Sequence, residues 1–156
     1  MKDGPMQDPT SDLPKPSQSH MMQRFPITAA EIDQLMKAFY AEIRVHPVLG
    51  PVFINAIGKD RLSWQFHEAK IASFWRNAVL MDRGYRGNPM MKHLANSEIK
   101  IEHFPIWLDL FRRVASDVLP ADRAANISAL ADRIGRGLSY GLEAARNGST
   151  PPNLAG

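Results

Sequence analysis

Cysteine is absent from this 156-residue chain. That absence excludes a disulfide scaffold, thiolate zinc sites, iron–sulfur clusters, a thiol nucleophile and any prosthetic group tethered through a C-x-x-C-H motif. It fits a reducing compartment. Long apolar runs are missing as well. The longest stretch without an acidic or basic residue is 45–58, and it contains Pro47 and Pro51. Such a segment is too short and too broken to span a bilayer, so no membrane partner is expected. Runs of one charge are also lacking. Lys and Arg number 19 against 16 Asp and Glu, a net charge of +3 that is scattered along the chain. No basic footprint for nucleic acid emerges. The N-terminus carries Asp3, Asp8 and Asp12 among four prolines and has no apolar core, so it does not read as a signal peptide. A cytoplasmic location is the expectation.

What is present is ordinary for a globular chain: 44% hydrophobic and 22% charged residues. The length suggests one domain, large enough to bury roughly two thirds of its unfolded surface. Residues 1–24 are rich in Pro, Ser, Gln and Met without periodicity and read as a disordered leader. Residues 147–156 read as a flexible tail. The folded part is 25–146.

Within 25–146 the apolar period is 3.6, and no segment alternates as a strand. The first helix opens at Thr28 with a capping-box pattern completed by Glu31. Its apolar face runs Ile32, Leu35, Met36, Phe39, Tyr40, Ile43, and Pro47 ends it. Residues 46–53 read as a turn-rich connector. A second helix covers 61–81, with Phe66 or His67, Ile71, Phe74 or Trp75 and Ala78 on one side. Residues 82–88 read as a loop, and Asn88-Pro89 starts a short helix as N-cap and first residue. Pro105 and Pro120 lie near the starts of two more helices. The fold class is all-α, four long helices and a short one around a shared core.

Several motifs fail on inspection. His67-Glu68-Ala69-Lys70-Ile71 starts like H-E-x-x-H but has Ile where the second imidazole belongs. Gly135, Gly137 and Gly141 fall within a helix and follow no strand, so they read as close helix packing and not as a phosphate loop. No Ser-His-Asp set or di-iron carboxylate pattern stands out, and the clustered Met21, Met22, Met90 and Met91 read as tail and surface.

One constellation persists. His67 lies on the apolar side of the second helix, His93 on the short helix, and Tyr40 and Trp107 put polar tips on apolar faces. Singly, each is explained as a core side chain whose polar end finds a partner. Together they place more hydrogen-bonding groups inside than a small helical core carries without use. An apolar slot with one imidazole ligand and polar groups on one face is what a haem requires.

The residues then match a family pattern. Phe39-Tyr40, the segment Leu49-Gly50-Pro51-Val52-Phe53, and Trp64-x-x-His67-x-x-x-Ile71-x-x-Phe74-Trp75 occur in order. They are followed by Tyr85-x-Gly87, Lys92-His93-Leu94 and Phe104-x-x-Trp107-Leu108-x-Leu110-Phe111. Over 27–144 the chain resembles the truncated haemoglobins, and among them group III, since the paired glycines of the other groups are missing. The resemblance implies a two-over-two helical sandwich holding haem b. It implies His93 as proximal iron ligand, with Tyr40, His67 and Trp107 in the distal pocket. It implies Phe53 against the porphyrin, and Ile71, Phe74, Trp75 and Tyr85 among the cofactor contacts. Lys70 and Lys92 are candidates for the haem propionates, although solvated lysines on an outer face fit the sequence equally. Of the remaining histidines, His20 lies in the leader, and His46 and His103 read as surface or capping groups.

The implied ligands are O2, NO and CO. Tyr40 and Trp107 would donate hydrogen bonds to O2, with His67 as a third donor or a gate. Tight holding of O2 suits O2 or NO chemistry or sensing better than bulk O2 transport. The alternatives are a haem enzyme with NO dioxygenase or peroxidase-like activity, served by a separate reductase, and a haem-free helical interaction module in which His67 and His93 are core residues.

Overall fold

A computed structural model describes residues 24–81 and 87–147. Both the expected leader and the expected tail lie outside these residues, apart from Arg24 and Asn147. Every regular element among them is a helix: α1 (Ala29–Val45), α2 (Leu49–Ile57), α3 (Arg61–Leu80), α4 (Pro89–Ala95), α5 (His103–Val118) and α6 (Ala121–Arg146). None is long and apolar enough to cross a membrane.

Each start has a local cause. Thr28 Oγ1 accepts from the Glu31 amide at 3.1 Å, and Glu31 Oε1 accepts from the Thr28 amide at 2.9 Å, completing the capping box of α1. Asp60 caps α3 by accepting from the amides of Leu62 and Ser63. Asn88 caps α4 by accepting from the Met91 amide at 3.2 Å, with Pro89 as first helical residue. The second long helix stops one residue short of the expected 81, where Met81 turns left-handed at φ 62° and closes it.

The expected connector over 46–53 is instead largely helix α2. Pro51 is the third residue of that helix, where its missing N–H belongs to a group of amides with no intrahelical partner anyway. The start is capped from outside: His46 Nδ1 accepts from the amides of Val48 and Leu49, both at 3.1 Å. His46 thus is a capping group, as an acceptor for the helix that follows it. Gly50 lets α2 leave α1 closely, since a Cβ there would stand 3.0 Å from the Arg44 carbonyl oxygen.

The helices pack as two pairs, α1 with α3 and α5 with α6, and α1 rests on α5. The centre is aromatic. Phe111 stacks on Trp75 from α3 and on Trp107 from its own helix, each at 5.2 Å, and meets Phe39 of α1 edge-on at 5.3 Å. Of these, Phe39, Trp75 and Phe111 are fully buried, and each contributes roughly 1.5–3 kcal/mol of transfer free energy. α5 and α6 approach closely at Gly135, where a Cβ would meet Leu108 at 3.0 Å. The close-packing reading of the glycines therefore holds at Gly135. It does not hold at Gly137, beside which there is open space.

Two charged ties fix the ends. Arg123 of α6 donates to both Glu31 oxygens at 2.7 and 2.6 Å, binding the capping box of α1 to α6. Arg24 donates from its amide to the Val79 carbonyl at 3.0 Å and from Nε to Ala78 O at 2.8 Å, docking the entering chain on α3.

Burial works against the Glu31 charge, but the Thr28 amide and the Arg123 guanidinium outweigh it and hold the carboxyl below its usual range. A depressed folded pKa adds stability above the unfolded value, and that stability disappears as pH falls through the folded one. Glu31→Gln should therefore lower stability by about 1–2 kcal/mol at neutral pH. The deficit relative to wild type should shrink towards zero as pH falls below the usual carboxylate range and through the depressed folded value. Urea titrations at neutral pH and in acid measure it, and a deficit independent of pH would show that the charge has no part.

Candidate functional site

A cavity of about 370 Å³ opens between the two layers. Its walls come from all six helices: Tyr40 of α1, Phe53 of α2, His67, Ile71 and Trp75 of α3, Pro89 and His93 of α4, Phe104 and Trp107 of α5, and Ile134 and Leu138 of α6. Aside from Tyr85, which lies outside the described residues, every candidate site residue read from the sequence lines this one space. A second groove of about 490 Å³, on the α5–α6 surface, is shallow and lined by alanines with the Arg112–Asp132 ion pair. It has no imidazole and no aromatic wall, and the chemistry lies in the first.

One side of the cavity collects hydrogen-bonding groups. Tyr40 is buried, and its ring meets His67 edge-on at 5.0 Å and Phe53 at 6.0 Å. Burial, reinforced by the Glu68 charge, pushes its hydroxyl well above the ordinary phenol range, so it stays a donor. The Trp107 indole is fixed between Phe39, edge-on at 5.0 Å, and Phe111. Among the described residues, neither the Tyr40 hydroxyl nor the Trp107 N–H has a hydrogen-bond partner, and both residues line the cavity. The sequence left Phe66 or His67 as the inward residue of α3. The structure turns His67 in and leaves Phe66 75% exposed. Burial first, then the nearby Lys70 and Lys92 charges, lower the His67 pKa to about 4. Its imidazole is neutral at physiological pH.

The opposite wall carries His93, half-buried on the short helix α4. His93 Nδ1 lies 2.5 Å from the Pro89 carbonyl oxygen. A carbonyl only accepts, so Nδ1 is the donor, and in the neutral ring Nε2 keeps its lone pair. An imidazole held by a backbone carbonyl with a free Nε2 is the arrangement that metal-ligating histidines adopt. Phe104 stacks on its ring at 5.7 Å and fixes the plane. α4 buries no side chain in the core; its residues Pro89, Lys92 and His93 line the cavity instead.

At the rim, Lys70 and Lys92 line the opening close enough to each other that the neighbouring Lys92 amine and burial lower the Lys70 pKa. Neither has an acidic partner among the described residues. Two like charges held together at the edge of an apolar slot suit a ligand with two negative charges on an apolar body.

Several cavity residues escaped the sequence reading. Val52, Phe53, Ala56 and Ile57 form one face of α2, of which only Phe53 was singled out, because the prolines suggested a connector. Asn96, Ile99 and His103 also line the space. His103 was read as a surface or capping group. It does cap, accepting from the Lys100 amide through Nδ1 at 3.0 Å, but it stands on the cavity wall. The only warning in the sequence was its position one turn ahead of Trp107.

No family model matches the chain. The group 3 truncated haemoglobin of Campylobacter jejuni is 42% identical over 85 residues, covering 54% of this chain and 67% of that protein. The crystal structure of a group III truncated haemoglobin from Campylobacter jejuni superposes with a TM-score of 0.70 at 35% identity, covering 76% of this chain and 93% of that one. The fold is thus that of a globin. The chain belongs to the group III truncated haemoglobin family. Membership makes it a haem-binding globin, with small gaseous molecules as its class of ligand. A haem-free interaction module is set aside with it. The residues present fit a haem: among the described residues, the His93 Nε2, the Tyr40 and Trp107 donors and the Lys70 and Lys92 cations at the rim are all without a partner.

Because burial lowers its pKa, the His67 imidazole should stay neutral as pH falls from 8 to about 5 and protonate near 4. Titration of its ring carbon-bound protons by NMR in the CO-bound protein checks this. A midpoint at the ordinary histidine value would show that His67 is turned out to water.

Proposed function

We propose that the protein holds haem b through His93 Nε2 and binds O2 and other diatomic gases beside Tyr40, His67 and Trp107. The observation that carries this is the Nδ1 contact to the Pro89 carbonyl, which leaves one histidine with its lone pair free towards the cavity. When bound, haem supplies an iron centre with affinity for O2, NO and CO. The chain's own residues do the rest. Phe53, Ile71, Phe74 and Trp75 exclude water and pack the porphyrin. Lys70 and Lys92 neutralise its carboxylates.

Tyr40 and Trp107 donate to a gas that gathers negative charge on binding, as preorganised donors do at any developing anion. Both are held by aromatic contacts, so donating requires no reorganisation. His67 stands between the lysine rim and Tyr40, close enough to feel both cations, which suits a gate that swings aside for entry. Two fixed donors imply slow O2 release, which suits O2 or NO chemistry, or sensing, over bulk transport. Conversion of NO to nitrate and peroxide activation are the reactions that fit, with electrons from a separate reductase in the cytoplasm. NO consumption with a reductase and without one tests the enzymatic reading.

The wild-type protein reconstituted with haem should show a Soret band. His93→Gly should lose the haem or require added imidazole to keep it. A normal spectrum in that variant would place the ligand elsewhere. Tyr40→Phe and Trp107→Phe should each speed O2 dissociation by about ten- to a hundredfold, from loss of a hydrogen bond of roughly 1.5–3 kcal/mol. CO dissociation should change far less. Equal changes for both gases would mean the side chains act by shape alone.

A further inference from the structure

Three histidines line the cavity, and their ring protons are fixed differently. On His93 the partner of Nδ1 is a carbonyl, so Nδ1 donates and Nε2 is a bare lone pair. On His103 the partner of Nδ1 is the Lys100 N–H, at 3.0 Å. An amide only donates, so Nδ1 must accept, the ring is neutral, and the proton sits on Nε2. His67 has neither nitrogen fixed by a partner among the described residues. His103 is therefore locked as a donor, in the tautomer opposite to that of a metal ligand bound through Nε2. Its Nε2–H has no acceptor among the described residues.

The wall around it is firmly held. Arg146 of α6 donates to the Asn96 carbonyl at 3.0 Å and to the Ile99 carbonyl at 2.5 Å. Asn55 of α2 donates to Glu98 at 3.1 Å from the other side. Glu98, a carboxylate of this loop, is thereby engaged by Asn55. A rigid neutral N–H on an apolar wall, with cations already at the rim, suits an anionic oxygen acceptor.

We propose that His103 Nε2–H binds a carboxylate of the haem, as a cofactor-binding residue distinct from Lys70 and Lys92. The proposal rests on the haem reading above and adds a specific donor to it. Capping and donation can be separated by two substitutions. His103→Asn keeps an oxygen where Nδ1 accepts from Lys100 but lacks the reach of Nε2. His103→Gln keeps a donor near Nε2 and gives up the cap.

The test is haem loss from the full-length reconstituted protein to excess apomyoglobin, run with haem and with haem dimethyl ester, whose carboxylates are masked. With haem, His103→Asn should lose the cofactor about tenfold faster than wild type, and His103→Gln within about twofold of it. With the dimethyl ester the three proteins should release at the same rate. A faster loss for His103→Gln than for His103→Asn would make His103 a capping residue only and overturn the proposal. So would an effect of His103→Asn that persists with the ester. Wild-type protein without a Soret band would overturn the haem reading itself, and is distinguishable from both by the spectrum alone.

Discussion

The stacking of Phe111 between Trp75 and Trp107 is the contact on which the two helical layers meet. It joins α3 to α5, and Phe39 brings in α1 edge-on. Flat rings of this size pack tightly where they overlap but cannot fill the space past their edges. The cavity opens there, bounded by Trp75 and Trp107 themselves. The same contact that closes the core therefore fixes the angle of the Trp107 indole and, through Phe39, the neighbouring Tyr40. Aromatic pairs add about 0.5–1.5 kcal/mol each beyond their burial. Preorganisation of the polar pocket is thus a consequence of core packing and not a separate device.

Proton placement is the second constraint, and the backbone decides it. Pro89 offers a carbonyl and no N–H, and its oxygen lies one turn before His93 on the same helix. The turn 96–103 presents an amide to His103 instead. Identical side chains in one cavity therefore receive opposite tautomers. On the third, His67, burial first and then the lysine pair keep the ring uncharged. The interior remains free of net charge, while the cations stay at the rim, where water and an anionic ligand both reach them.

How much of this the residues announce depends on the element. The face of α1 follows from 3.6-residue spacing, since its buried set is the predicted one. The helix α2 was hidden because proline is read as a breaker, although in a first turn it removes nothing that the helix uses. On α3 the spacing could not decide between Phe66 and His67, because both lie near the edge of the apolar face. The outcome goes against simple hydropathy, with the Phe outside and the His inside. A ring with a polar edge is worth burying only where something awaits it. The role of His103 was illegible for another reason. It depends on a backbone amide three residues back, and no pattern of side chains records where that amide points.

The arrangement of unpaired groups also limits what the cavity can accept. An apolar ligand alone would leave the Tyr40 hydroxyl and the Trp107 N–H unsatisfied, and each such group costs about 1–3 kcal/mol. A small polar ligand alone would leave the wall of Phe53, Ile71, Phe74 and Phe104 wet. An anion alone would satisfy Lys70 and Lys92 but bury no aromatic surface. The three demands are met together by a broad apolar plate with carboxylates at one edge, a site for an imidazole on one face and room for a small polarisable gas on the other. Each feature of that plate meets a different set of side chains, and apart from the imidazole on α4 every set is drawn from more than one helix. A substitution within one set should therefore disturb one property of the bound group while leaving the remaining contacts to hold it.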